Sequence, residues 1–375
     1  MLGGRGAGGW AWIGLAVLAI IPGMILSLGN FGAADLLQAL LFGGTIIGAA
    51  FLISWAAEAA QKDFSQSLAL ALLALIAVLP EYTVDATFAW LAAQDPAYAA
   101  YAMANMTGAN RLLVGIAWPM VVALIFLRFR RKHVQVGENH GIELVVLLAA
   151  TFYAFILPFK GSVSLIDSVI LAGIFAFYIW RISRLPAREP DLVGPAHLIG
   201  ELSPWSRRAV TLLLALAAGT AIFTVAEPFA RALVDTGVSL GIEEFLLVQW
   251  LAPLASESPE FVVVALFAWR NATNSAMGTL MSSKVNQWTL LVATLPLIYS
   301  ISLGATDPLP LDRRQQGEVL LTAAQSLFAV VLLLDLRLSL VGAGLLFSLS
   351  LFKWRCQKPE RQSPSLISPL RWRHW

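Results

Sequence analysis

Eleven apolar segments, separated by short polar stretches, run through the chain. A bilayer core about 30 Å thick requires roughly 20 apolar residues per helix, and each segment comes close to that length. The pattern therefore predicts eleven transmembrane helices, several of them longer than a straight span needs, as expected for tilted or interrupted helices. The segments lie near residues 10–28, 36–60, 64–93, 98–127, 139–159, 162–183, 207–233, 240–268, 273–302, 317–335 and 336–353.

The first segment, 10–28, has two interpretations. An apolar stretch near the N-terminus can be a cleaved signal peptide. This one is longer than a typical signal core and only Arg5 precedes it as a basic residue, so a spanning helix is the favoured interpretation.

A proline-rich polar stretch from Ser183 to Arg208 divides the remaining ten segments into two sets of five. Because five is odd, the second set must enter the membrane from the opposite face, which is the inverted repeat of many secondary transporters. The predicted fold is all-α and polytopic, with two inverted five-helix repeats and one extra helix. The expected boundaries are 10–28 for the extra helix, 36–183 for the first repeat, 184–206 for a cytoplasmic linker, 207–353 for the second repeat and 354–375 for a basic tail.

Composition supports a membrane protein. The chain is 58% hydrophobic and 13% charged, with a mean hydropathy of +0.74, whereas soluble domains average about 25% charged residues. The expected surroundings are therefore the lipid bilayer. A formal net charge of +2 gives no reason to expect a nucleic-acid partner, and the single cysteine, Cys356, cannot form an internal disulfide.

Loop charges predict an orientation. The face that includes the N-terminus carries thirteen Lys and Arg residues, against four on the other face, or ten when the tail is counted. Because positively charged loops stay on the cytoplasmic side, the N-terminus and the linker are expected to be cytoplasmic, in a multi-pass protein of the cell (inner) membrane.

An eleven-residue phrase occurs in both halves. Pro80–Trp90 (PEYTVDATFAW) matches Pro259–Trp269 (PEFVVVALFAW) at seven positions. A carboxylate at the centre of a membrane helix costs about 2.5–3.5 kcal/mol on insertion scales, and this chain carries one at the same place in each half, Glu81 and Glu260. The repetition indicates a joint role, although each glutamate could instead cap a helix or pair with a buried base.

Residues around the repeated glutamates extend this candidate site. Asp85 follows Glu81 by one helical turn, and Glu257 precedes Glu260 on one helix face, with Ser256 adding a hydroxyl. Proline removes a backbone donor and bends or breaks a helix, so a bend or a break is expected at Pro80 and Pro259. Broken helices at membrane depth line cavities, where oxygen ligands suit hard cations.

A second pair of segments, Ala102–Arg111 and Ala276–Val285, is rich in small and polar residues. Small residues allow close helix packing, and packing alone and a ligand role are compatible. The packing residues predicted here are Asn105, Gly108, Asn110, Gly278 and Ser282.

A Pro-Glu helix followed by a small-residue helix, present twice around a linker, resembles the cation/calcium exchanger superfamily, as a divergent prokaryotic-type member. The resemblance covers about Leu37 to Phe352. It implies an antiporter of the sodium/calcium exchanger type in which Glu81 and Glu260 coordinate the exchanged cation, with Ser283 and Gln287 among its ligands.

The chain departs from the family phrases, which read Gly-Thr-Ser-x-Pro-Glu and Gly-Asn-x-x-Gly-Ser-Asn-x-x-Asn/Asp. The first half has apolar residues at four of the family's ligand positions, namely Ala77, Val78, Ala109 and Leu113. The second half keeps Ser256, Ser283 and a polar Gln287, and it gains Glu257. The expected site is polar on one wall and apolar on the other.

Lys284 stands where the family has asparagine. One hypothesis is that it lowers the negative charge of the site and disfavours Ca²⁺, which takes six to eight oxygen ligands. The alternative is that it extends to the membrane interface. Arg111 raises the same question, and an acidic partner nearby is expected for it.

Glu58 and Glu227 lie in the helices that precede the two Pro-Glu segments. The resemblance implies that these helices slide past the site, so both glutamates are candidate gate residues. A position at an interfacial helix end is the alternative.

The sequence therefore predicts a secondary antiporter exchanging Ca²⁺ or another cation against Na⁺ or H⁺. The expected partners are inorganic cations, with no permanently bound cofactor, and the oligomeric state is left open. A non-transporting sensor or scaffold on the same fold is an alternative. An intramembrane enzyme is a further one, although the chain has no His-Glu-x-x-His motif and no nucleophile–base arrangement.

Overall fold

The computed structural model describes residues 7–29, 31, 33–60, 62–63, 79–137, 140–184 and 192–356. Each of the eleven predicted segments contains a helix in this part of the chain. The start of the third segment with Ala77 and Val78, part of the linker and most of the tail lie outside the described residues. The helices are α1 (Ala7–Gly29), α2 (Asp35–Ala60), α3 (Leu79–Ala92), α4 (Ala97–Leu112), α5 (Trp118–Phe129), α6 (Gly141–Ala154), α7 (Ile156–Lys160), α8 (Leu165–Ile182), α9 (Pro195–Gly200), α10 (Pro204–Leu240), α11 (Glu244–Trp269), α12 (Thr273–Asn286), α13 (Val292–Leu303), α14 (Arg313–Leu332) and α15 (Leu340–Cys356).

Seven helical stretches among the described residues are long and apolar enough to cross a bilayer. The other four predicted spans are also helical, but they are shorter where described or carry more polar residues. The fold is thus all-α and polytopic, as predicted.

Helix α10 is longer than the predicted span 207–233. It begins with Pro204 at a first-turn position, where a backbone N–H is not needed. It ends at Leu240, and the next residue, Gly241, has a φ of 63°, the left-handed conformation that glycine adopts readily. The linker before it also contains α9.

Four short strands show that the two halves are inverted. They are β1 (His133–Gln135), β2 (Ser162–Val163), β3 (Leu309–Pro310) and β4 (Arg337–Ser339). β1 pairs with β4 and β2 with β3, both antiparallel. β1 and β3 each follow the third helical segment of their half, whereas β2 and β4 each follow the fourth. Each pair therefore joins a loop after a third segment to a loop after a fourth segment of the other half. Two such loops lie on the same side of the membrane only if the halves run in opposite directions.

The third segments of the two halves match in detail. Between α4 and α5 lies a π-helical turn, Leu113–Ala117, and between α12 and α13 lies another, Gln287–Leu291, at the equivalent position. α5 and α13 are each followed directly by a residue in the left-handed conformation, Arg130 (φ 58°) and Gly304 (φ 69°) respectively. The two halves therefore share backbone geometry where their sequences differ.

The helix does not break at Pro259, because α11 is continuous from Glu244 to Trp269. A proline leaves the carbonyl four residues earlier without its usual donor. The Ser258 hydroxyl donates to the Ala255 carbonyl at 3.1 Å and replaces the N–H that Pro259 lacks. Pro80 is the second residue of α3 as described, a first-turn position that needs no backbone donor.

Close packing of α4 against α11 brings the two repeats together. A Cβ added to Gly108 would lie 1.8 Å from the Gln249 carbonyl oxygen. That carbonyl is the one left without a helical donor by Pro253, so only glycine fits beside it. Gly108 therefore lies at the closest approach of the two helices, and its packing role stays a prediction.

Candidate functional site

The structure brings the repeated glutamates into one cluster. Glu81 on α3 is 3% exposed, and Glu260 on α11 is partly buried. Glu81 interacts electrostatically with Glu260 and with Asp85, and Glu257 interacts with both Glu81 and Glu260. Four acidic side chains from both halves therefore gather between α3 and α11.

Helix α12 and the π-turn after it supply polar partners for the glutamates of α11. The Ser283 hydroxyl lies 2.7 and 2.8 Å from the two carboxylate oxygens of Glu260. One turn further, Gln287 donates to Glu257 and also lies beside Glu81. The polar wall predicted for the second half is thus assembled around both of its glutamates.

The first half contributes two further hydrogen-bonded pairs. Tyr82 donates to Asn286 at 2.8 Å, and Asn105 donates to Asp85 at 2.7 Å. Asp85 and Asn105 are fully buried. The pairing orients Asp85 and gives Asn105 a polar contact in addition to its packing role.

Several oxygens in this cluster are buried without a hydrogen-bond partner among the described residues. They are Oε1 of Glu81, Oδ2 of Asp85, Oε2 of Glu257 and Oε1 of Gln287. An unsatisfied buried polar atom is costly, and carboxylate and amide oxygens are the ligands that hard cations take. The described residues include no group of three His, Cys, Asp or Glu side chains arranged to hold a metal ion, so the oxygens do not form a ready-made chelate.

Lys284 is fully buried and does not extend to an interface. Its ammonium group donates to Oδ1 of Asn110 at 2.7 Å and to the Asn110 backbone oxygen at 3.0 Å. Within the described residues, no carboxylate is hydrogen-bonded to it, although Glu257 and Glu81 act on it electrostatically. The lysine therefore lies next to the cluster with its own oxygen partners.

Arg111 has the acidic partner that was expected, and it is Glu318 on α14. Their charged atoms are 2.6 Å apart and both side chains are 3% exposed. Thr322 also accepts from Arg111 at 2.9 Å, and Gln249 donates to Glu318 at 3.1 Å. This network ties α4, α11 and α14 together beside the carboxylate cluster.

Three other predicted residues have local roles in the structure. The Ser256 hydroxyl donates to the carbonyls of Ala252 and Pro253 in its own helix, and no hydrogen bond joins it to a carboxylate in the described part of the chain. Ser282 is 2.8 Å from the Tyr178 hydroxyl, and the position of Gly278 leaves room for the His140 ring. Ser282 therefore contacts α8, and Gly278 lies against the residue that precedes α6; a packing role stays a prediction for both.

The two candidate gate residues differ in their surroundings. Glu58 is near the end of α2, where it is hydrogen-bonded to Ser54 at 3.3 Å. Glu227 is 57% exposed and pairs with Arg231 at 2.8 Å, in the wall of a cavity of about 480 Å³ between α2 and α10. Neither position is part of the buried cluster, and a gate role stays a prediction for both.

Sequence reasoning missed Tyr82, Asn286 and Glu318. Tyr82 aligns with Phe261 in the repeat, so its hydroxyl was a visible difference between the halves. Asn286 belongs to the polar run that ends at Gln287. Glu318 has no such signal, because it lies 207 residues from Arg111 and only the fold brings them together.

Inverted repeats that enclose buried carboxylates at equivalent positions define a membrane protein with the architecture of secondary transporters. The family model described as "Sodium/calcium exchanger protein" matches residues 35–183 and 210–352. The chain therefore belongs to the sodium/calcium exchanger family, which is a family of transporters and not of enzymes.

Solved structures agree with this assignment. The chain is 44% identical to the H⁺/Ca²⁺ exchanger CAX, with a TM-score of 0.88, over 92% of this chain and 88% of that one. YfkE has the same fold at 16% identity, with a TM-score of 0.67 and coverage of 91% and 97%. The sodium–calcium exchanger NCX_Mj also has it at 16% identity, with a TM-score of 0.56 and coverage of 92% and 99%. A search of curated protein sequences gave no match.

Proposed function

We propose that the protein is a secondary antiporter that exchanges Ca²⁺ for H⁺ at the cluster formed by Glu81, Glu257 and Glu260, with Asp85 nearby. The observation that carries the proposal is the set of buried oxygens without hydrogen-bond partners on Glu81, Asp85, Glu257 and Gln287. The likeness to the H⁺/Ca²⁺ exchanger CAX at 44% identity favours these two ions among the cations that the family implies.

Electrostatics explains why the two ions would compete. An ionised carboxylate in an apolar medium is very costly unless a counter-charge is present. With several carboxylates in one buried cluster, either a divalent cation or protons must balance their charge. Binding of Ca²⁺ then displaces protons, and its release requires their return, which couples the two fluxes.

The ligand set of this proposal comes from both halves. Glu81 would act from α3, and Glu257 and Glu260 from α11, while the Ser283 hydroxyl orients Glu260 and the Gln287 amide orients Glu257. Ca²⁺ tolerates flexible geometry with six to eight oxygens, so a modest approach of the helices could complete its coordination. Opening toward each side in turn would follow from motion of one bundle against the other, as in other inverted-repeat transporters.

Reconstitution of the purified protein into proteoliposomes tests this function. With an acidic interior, radiolabelled Ca²⁺ should accumulate and the interior should become less acidic as Ca²⁺ enters. The Glu81→Gln variant should lose both signals, whereas Glu201→Gln, a control at an exposed position on the surface, should retain them. Ca²⁺ binding without flux in the wild type would favour the sensor or scaffold alternative.

A further inference from the structure

Lys284 and Asn110 occupy equivalent positions in the two repeats. Each lies three residues before the π-turn of its half, at Gln287 and Leu113 respectively. Both are fully buried, and the lysine ammonium contacts the asparagine directly. The two halves thus meet at this pair, one supplying the lysine amino group and the other supplying two oxygens.

The Asn110 oxygens are held toward the ammonium. The Asn110 amide nitrogen donates to the Met106 carbonyl at 2.9 Å, which turns Oδ1 to Lys284. The backbone oxygen of Asn110 is the second acceptor, at 3.0 Å. One amide oxygen and one backbone carbonyl are oxygen ligands of the kind that also bind hard metal cations.

Other neighbours also favour a cation at this point. The Trp288 ring centroid lies 5.4 Å from the Lys284 ammonium, within the range of a cation–π contact. Glu257 and Glu81 attract a charged ammonium, whereas burial and the nearby Arg111 oppose its charge. The two oxygens and the indole ring are partners that a bound monovalent cation also takes.

We propose that Lys284 acts as a tethered monovalent cation, which fills a place that Na⁺ would otherwise occupy and so makes the exchange independent of Na⁺. The inference rests on the proposed antiport function and identifies the residue that selects the coupling ion. Because the ammonium is hydrogen-bonded to Asn110 and not to a carboxylate, the open oxygens of Glu81, Asp85 and Glu257 stay available to a divalent cation.

The test compares Lys284→Asn, which removes the charge and leaves space and an oxygen, with Lys284→Met, which removes the charge but fills the space with an apolar chain. Lys132→Asn, at an exposed position, is the matched control. The full-length protein and each variant are reconstituted, and radiolabelled Ca²⁺ uptake is measured with an outward Na⁺ gradient at equal pH and, separately, with an outward H⁺ gradient.

In the wild type and the Lys132→Asn control, we expect uptake driven by H⁺ and none driven by Na⁺. The Lys284→Met variant should likewise gain no uptake driven by Na⁺, because its side chain fills the space without supplying an oxygen. In the Lys284→Asn variant, the Na⁺ gradient should raise Ca²⁺ uptake roughly tenfold above the level without a gradient. Uptake driven by Na⁺ in the wild type would overturn the inference while leaving the antiport function intact. A Lys284→Asn variant that exchanges Ca²⁺ for H⁺ but ignores Na⁺ would also overturn it.

Two further outcomes are decided by a second measurement. If Lys284→Asn does not fold, radiolabelled Na⁺ flux through the wild type tests the proposal instead. A tethered cation predicts no Na⁺ flux, and measurable Na⁺ flux would overturn the proposal. If the wild type takes up no Ca²⁺ under either gradient, the proposed function itself fails. Titration calorimetry of Na⁺ with the wild type and Lys284→Asn then decides the inference, which requires Na⁺ binding to the variant alone and is overturned by any other result.

Discussion

Replacement of Gly108 with alanine should separate the two helices that hold the candidate site together. The new Cβ would lie 1.8 Å from the Gln249 carbonyl oxygen, 2.8 Å from its carbon and 3.1 Å from its Cα. All three are backbone atoms of α11, so a side-chain rotation cannot relieve the clash. The helices themselves must move.

The size of the movement follows from ordinary contact distances. A carbon and a carbonyl oxygen approach to about 3.3 Å at closest, so α4 and α11 must move apart by about 1.5 Å. That shift is enough to break the 3.2 Å hydrogen bond from Gln249 to Thr107. Overpacking of this kind costs about 1–3 kcal/mol or more, and a displacement of about 1 Å at a reacting centre can lower a rate about a hundredfold.

The assay is thermal unfolding of the detergent-solubilised protein together with Ca²⁺ uptake in proteoliposomes. Gly173→Ala is the matched control, because Gly173 lies in α8 with nothing within 4 Å of an added Cβ. Gly108→Ala should unfold at a lower temperature and lose most of its uptake, while the control should behave as the wild type. If the two variants behave alike, the close approach of α4 and α11 has no role in stability or transport.

Two further predictions concern charged contacts. Arg111→Met removes the cation from the buried Glu318 carboxylate and should destabilise the protein by about 3–5 kcal/mol. In thermal unfolding, the Arg111→Met/Glu318→Gln double variant should be less destabilised than the sum of the two single variants. Additive effects would contradict coupling between the two side chains. Hydrogen bonds from Arg207 hold the pKa of the Asp63 carboxyl below its usual value of 3.8. The contact therefore stabilises the folded state fully at pH values above 3.8, and this stabilisation is lost as the pH falls through the lowered pKa. The wild type should therefore unfold at a higher temperature than Asp63→Asn near neutral pH, and the difference should shrink toward zero in strong acid; a difference that grows with acidity would contradict the assignment.

Much of the fold could be predicted because its main signals are local. Apolar length placed the eleven helical segments, and the odd number of helices per half predicted the inversion that the β1–β4 and β2–β3 pairings display. The repeated Pro-Glu phrase located Glu81 and Glu260 in the same cluster. Proline was a weaker guide, since Ser258 supplies the donor that allows α11 to continue through Pro259.

Contacts between distant segments could not be predicted in the same way. Whether Lys284 points to a carboxylate, an interface or Asn110 depends on the angle between α4 and α12, which no local pattern specifies. The partner of Arg111 was expected to be acidic, but its identity as Glu318 required the packing of α14 against α4. The partner of the Ser256 hydroxyl could not be predicted either. A hydroxyl that can bind a cation can also donate to carbonyls of its own helix, and Ser256 does the latter.

Glu81 and Glu260, from opposite repeats, should bind one cation together. Titration calorimetry of Ca²⁺ with the purified wild type, Glu81→Gln and Glu260→Gln measures this directly, with Glu201→Gln as the control. Each single change in the cluster should abolish measurable Ca²⁺ binding, while the control should bind Ca²⁺ as the wild type does. Binding of Ca²⁺ with unchanged affinity and stoichiometry to either cluster variant would contradict a shared site.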